Sequence, residues 1–130
     1  MHDPPAPVSI LRQGSYLVVS IHSALDDTQM LRFRHDLVAA IGQYRARGVV
    51  IDVAALDVLD SFGSRTLYDI AEMARLRGAR TVLVGIQPDV AFAMVRLGMT
   101  TGTIPSALDL EEGLALLDAT IDLPQRGSGG

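Results

Sequence analysis

Gly48-Val49-Val50-Ile51-Asp52-Val53-Ala54-Ala55-Leu56-Asp57-Val58-Leu59-Asp60-Ser61-Phe62-Gly63-Ser64 is the stretch that decides the fold. It opens as an apolar, β-branched run, the pattern of a strand buried on both faces. It closes on Asp60-Ser61, just before a helical pattern. A buried strand feeding a helix start presents one hydroxyl at a fixed place. Ser61 is expected at or near the N-cap, where its oxygen can accept from first-turn amides. The helix dipole there favours added negative charge, a phosphate included.

Working outward, residues 1–7 read as a flexible proline-rich lead and residues 8–123 as a single domain, followed by a flexible tail over 124–130. Val8 to Leu11 and Tyr16 to Ile21 flank Gln13-Gly14-Ser15 and predict a β-hairpin. A helix is expected from Asp26 to Arg47, with Met30, Phe33, Leu37, Ala40, Ile41 and Tyr44 at helical spacing. A second runs from Ser61 to Arg77 and a third from Pro88 or Asp89 to Leu97. Each is expected to carry acid at its start and arginine towards its end, and to close on Gly48, Gly78 or Gly98 in the left-handed position. Arg80 to Ile86 reads as a second buried strand and Thr103-Ile104 as a weak last one. Asp109 to Ile121 reads as a last helix with Leu110, Leu114, Leu117 and Ile121 inward.

Strands alternating with helices give an α/β fold, a mixed and mostly parallel sheet of about five strands with about four helices, the first two strands forming a hairpin. Loops at the carboxyl ends of such strands gather at one pole. Here they are His22 to Asp27, Ala54 to Ser61 and Gly85 to Asp89.

The absence of cysteine excludes disulfides, thiol catalysis and cysteine zinc sites, and suits a reducing cytosol. A formal charge of −4 without an isolated basic cluster argues against nucleic acid. All basic residues are arginine, which suits pairing with carboxylate or phosphate and also follows from genome composition. Although 48% of residues are hydrophobic, the longest apolar runs are far shorter than the roughly 20 residues of a membrane helix. The start lacks the features of a signal peptide, so a cytoplasmic location with no membrane partner is expected.

The candidate chemistry converges on the pole. Ser61 reads locally as a helix cap or as a phosphoacceptor. Ser64 and Thr66 fall inside the helix and read as surface or packing residues. Asp26, Asp27, Asp57 and Asp60 could converge on a metal, as in a receiver domain, but helix starts account for Asp26, Asp27 and Asp60 without one. Asp52, in an apolar strand, reads as structural. His22 could approach Ser61 as a base, yet Asp60-Ser61-Phe62-Gly63-Ser64 is no hydrolase elbow. Met73, Met94 and Met99 read as core residues.

The central stretch resembles the phosphoacceptor segment of the STAS family, the domain of anti-sigma-factor antagonists. The family's hydrophobic strand, Asp, short loop and Asp-Ser pair fall on Val49 to Val53, Asp57, Asp60 and Ser61. Leu25-Asp26-Asp27, Gly48 to Asp52, Gly85-Ile86-Gln87-Pro88 and Ala107 to Glu111 extend the resemblance over about Val8 to Leu117. Within the family, the single-domain scaffold of the bacterial stressosome fits best.

The resemblance implies a non-enzymatic phosphoprotein without a cofactor or metal. Its switch would be phosphorylation of Ser61. Asp26, Asp27, Asp57, Asp60, Phe62 and Gln87 would face partners: a serine/threonine switch kinase, sensor-domain STAS paralogues and a PP2C-type phosphatase, in homo- and hetero-oligomers. A second phosphoacceptor threonine of multidomain relatives is matched by Ala93. The alternatives are a small anti-sigma-factor antagonist binding its kinase directly, a class that usually carries a second serine at Phe62, and a receiver-like or hydrolytic enzyme using the Ser61 and aspartate pole. A transporter's cytoplasmic domain is disfavoured because no membrane segment accompanies the chain.

Overall fold

Strand β3 (Gly48–Asp52) is the middle of a five-stranded sheet ordered β1-β2-β3-β4-β5. The computed structural model describes residues 7–96 and 104–121. β1 (Val8–Gln13) and β2 (Tyr16–Ile21) form the antiparallel hairpin around Gly14, whose φ of 61° needs no Cβ to be accommodated. β2, β3, β4 (Arg80–Val84) and β5 (Ser106–Ala107) then pair in parallel. The expected fold class is the one observed.

Alternation along the strands assigns the two faces. Leu17, Val19, Ile21, Val49, Ile51 and Leu83 turn towards α1 (Asp27–Tyr44), α2 (Ser61–Leu76) and α3 (Pro88–Arg96), and together they form the main core. Val50, Val82 and Val84 turn the other way, under α4 (Leu110–Ile121) and its buried Leu117. On this side α4 lies very close to the sheet: a Cβ at Gly113 would be 2.6 Å from Val84 Cγ1. No helix among the described residues is long and apolar enough to cross a membrane.

Several boundaries differ from the sequence expectation. The first helix ends at Tyr44 and is capped by Arg45 in the left-handed conformation, φ 50°, rather than by Gly48. Gly48 is buried in β3 because a Cβ there would meet Leu117 Cδ1 at 2.9 Å. The arginines expected in that helix's last turn therefore lie past its end, and Tyr44, expected inward, is exposed with Arg12 stacked 5.2 Å from its ring centroid. Gly78 does close α2 with φ 84°, and Gly98 lies outside the described residues.

The last strand is Ser106–Ala107, not Thr103-Ile104. Its place follows from pairing with Leu83 and Val84, while Ile104 drops into the main core; Thr103 lies outside the described residues. Asp109 precedes α4 as its cap, accepting from Glu112 N–H at 2.9 Å. Leu110 and Leu114 are partly buried against that face. Met94 is buried as expected, Met73 is exposed, and Met99 lies outside the described residues.

Candidate functional site

Two Asp-capped helices and two loops build the pole beyond the carboxyl end of β3. Asp26 caps α1 in a reciprocal box: its carboxylate accepts from Gln29 N–H at 2.7 Å, and its own N–H donates to Gln29 Oε1 at 2.9 Å. Asp60 caps α2, accepting from Gly63 N–H at 2.7 Å. The N-cap is thus Asp60, and Ser61 is the first helical residue. Both types cap well, but here the aspartate takes the amide and leaves the serine hydroxyl unused. Ser61 is exposed, and its hydroxyl makes no hydrogen bond among the described residues.

The surroundings of Ser61 are fixed from below. Leu59 packs so closely that a Cβ at Gly63 would be 2.8 Å from its Cδ1. A cavity of about 120 Å³ lies between Ala24, Leu25, Met30, Leu56, Val58, Leu59, Asp60 and Gly63, which joins the loop before α1 to the loop before α2. The loop after β4 is locked to the loop after β3: Gln87 Nε2 donates to the Ala54 carbonyl at 2.8 Å, and Gly85, at φ 75°, leaves only 2.8 Å between a would-be Cβ and Ala54 Cβ. Asp52, as expected, is structural, accepting from Ala54 N–H at 2.9 Å.

The structure therefore brings Asp26, Asp27, Asp57, Asp60, Phe62 and Gln87 to the end of the sheet where Ser61 stands, with distinct local duties. Asp26 and Asp60 hold helix ends and Gln87 clamps two loops. Asp27 and Asp57 are exposed, and Phe62 is 36% exposed. No three carboxylate or imidazole groups among the described residues come together in a way that could hold a metal ion. His22 is not brought to Ser61 as a base; its Nε2 pairs with Ser9 Oγ at 3.1 Å. Ser64 and Thr66 are buried, and Thr66 Oγ1 donates to the Phe62 carbonyl at 2.8 Å.

The STAS domain model matches residues 8–112. The chain belongs to the STAS-domain family. This STAS domain is similar to a serine-to-glutamate variant of RsbS from Moorella thermoacetica, at 35% identity and a TM-score of 0.82, over 91% of this chain and 100% of that one. It is similar also to a chain in the architecture of the stressosome, described there as a signal integration and transduction hub, at 33% identity and a TM-score of 0.74, over 88% and 100% of the two chains. The RsbT co-antagonist protein RsbRA of Bacillus subtilis (strain 168) is 26% identical over 97 residues, which are 75% of this chain. This STAS domain spans about a third of that relative's length, 35%.

Two residues of this STAS domain's pole escaped sequence reasoning. Val58 and Leu108 are 69% and 81% exposed at the loops that follow β3 and β5. An apolar residue between elements belongs to no period, so no pattern marks it. Val58, three residues before Ser61, and Phe62, next to it, make part of the surface around Ser61 apolar.

Proposed function

We propose that this STAS domain is a non-enzymatic, phosphoregulated scaffold of a bacterial stressosome. Unphosphorylated, it holds an RsbT-like serine/threonine switch kinase; phosphorylation of Ser61 releases the kinase, and an RsbX-like PP2C-type phosphatase resets it. RsbR-like sensor-domain paralogues co-assemble with it in homo- and hetero-oligomers. The observation that carries this reading is the free hydroxyl of Ser61 at the first position of a helix whose cap is already supplied by Asp60. A phosphate there adds about −1.5 to −2 charges at a helix N-terminus, without breaking any hydrogen bond of the fold. Beside Asp57, Asp60 and Phe62, that charge alters the partner-facing surface while the backbone stays put. The likeness to RsbS and to a chain of the stressosome supports the scaffold role.

The test is phosphosite mapping by mass spectrometry after incubation with ATP and the candidate kinase, with Ser61→Ala as control. A single phosphate on Ser61, absent from the control, is expected. Ser61→Asp should bind the kinase more weakly than Ser61→Ala. Phosphate elsewhere, or equal binding by the two variants, would overturn the switch.

A further inference from the structure

β5 is two residues long and pairs only with Leu83 and Val84. Among the described residues, Arg80, Thr81 and Val82 therefore have a strand partner on the β3 side alone. Beside that uncovered edge lies a cavity of about 420 Å³, within the span of roughly 300–1,000 Å³ usual for small-molecule sites. α2 walls it with Ala71, Glu72 and Arg75, and α4 with Leu116, Leu117 and Thr120. The cavity stands at the amino end of β4, away from the pole. Ser61 opens α2 and the cavity residues lie in its last turns, roughly 15–20 Å further along the helix.

The lining combines three chemistries. Val82, Leu116 and Pro105 supply apolar wall. Arg75 and Arg80 bring two guanidinium groups against the single carboxylate of Glu72, which Arg75 Nη2 already holds at 3.2 Å. Arg80 is exposed and forms no ion pair among the described residues. Thr81 is 7% exposed, and its buried Oγ1 has no hydrogen-bond partner among the described residues. Valine would fill the same strand position without an unpaired donor, so the fold alone does not account for that hydroxyl. A turn about χ1 exchanges the methyl and the hydroxyl and presents the O–H to the cavity.

We propose that this cavity binds an organic monocarboxylate with an apolar body. The carboxylate accepts from the Arg80 guanidinium and from the Thr81 hydroxyl, while the body lies against Val82 and Leu116. Two guanidinium groups less one carboxylate leave one positive charge, which matches a single anionic group and leaves a polyphosphate undercompensated. An uncharged ligand would leave Arg80 unused. The inference goes beyond the scaffold reading and does not rest on it.

The test is a heteronuclear NMR titration of the whole nitrogen-labelled chain with octanoate, and with octan-1-ol as the uncharged control. Octanoate should shift amides of Ala79 to Val82 and Leu116 to Thr120, saturating with a Kd of about 1 mM or below. Arg80→Gln should weaken binding about tenfold. Thr81→Val should weaken it about fivefold without lowering the thermal midpoint, a combination that a merely structural hydroxyl would not give. Shifts that do not saturate, that map elsewhere, or that are indifferent to both substitutions would overturn the inference. Octan-1-ol binding as tightly as octanoate would overturn it too, as would saturation of the same amides by an extended valine-rich peptide but not by octanoate, which would reassign the edge to strand addition. Failure here leaves phosphate on Ser61 untouched, and an unphosphorylated Ser61 leaves this cavity untouched.

Discussion

Replacing Ser64 with alanine should make this protein more stable. Ser64 sits one turn into α2, is 0% exposed, and its Oγ has no hydrogen-bond partner among the described residues. A buried hydroxyl left unpaired costs about 1–3 kcal/mol, and alanine is the better helix former by a few tenths of a kcal/mol. Against this stands the small void left by one oxygen. The expected net gain is about 1.5 kcal/mol, which for a chain of this size corresponds to a rise in Tm of roughly 6 °C. Urea unfolding should show a higher midpoint with an unchanged slope. Thr66 is the internal control, because its hydroxyl is equally hidden but bonded to the Phe62 carbonyl at 2.8 Å. Thr66→Val should lose about 0.5–1.5 kcal/mol. A lowered midpoint for Ser64→Ala, or the same sign of change at both positions, would refute the claim that Ser64 is an orphan.

Asp60→Ala removes the α2 cap and should cost about 1 kcal/mol, with Asp60→Asn nearly neutral, in thermal unfolding. Gly85→Ala combines a positive φ with a contact 2.8 Å from Ala54 Cβ, and should cost about 2–4 kcal/mol, lowering the urea midpoint accordingly. Leu117→Ala empties the contact over Gly48 on the one-helix face, for a loss of about 3 kcal/mol by the same assay.

Much of the fold was legible because its central strands are β-branched runs and α1 keeps its buried residues, Met30, Phe33, Leu37 and Ile41, at helical spacing. What escaped was decided by tertiary contact. Arg45 takes a left-handed φ that its residue type disfavours, because Gly48 is needed in the sheet beneath Leu117. β5 is two residues placed by their register with β4, too short to carry a period of its own. At the site, Asp60 and Ser61 are adjacent good caps, and local sequence does not choose between them. The structure chooses Asp60, with Leu59 packed over Gly63, and that choice frees Ser61. Gln87 also donates to the Ala54 carbonyl, a bond between residues 33 positions apart that no local motif announces.

The second face of the sheet is covered by α4, and α4 follows every strand in the chain. Lifting α4 alone would leave the hairpin, the other three helices and the main core in place and bare Val50, Val82 and Val84 as one apolar strip. A chain with α4 undocked is thus one helix short and sticky on one side. Leu117 is the side chain that closes that strip.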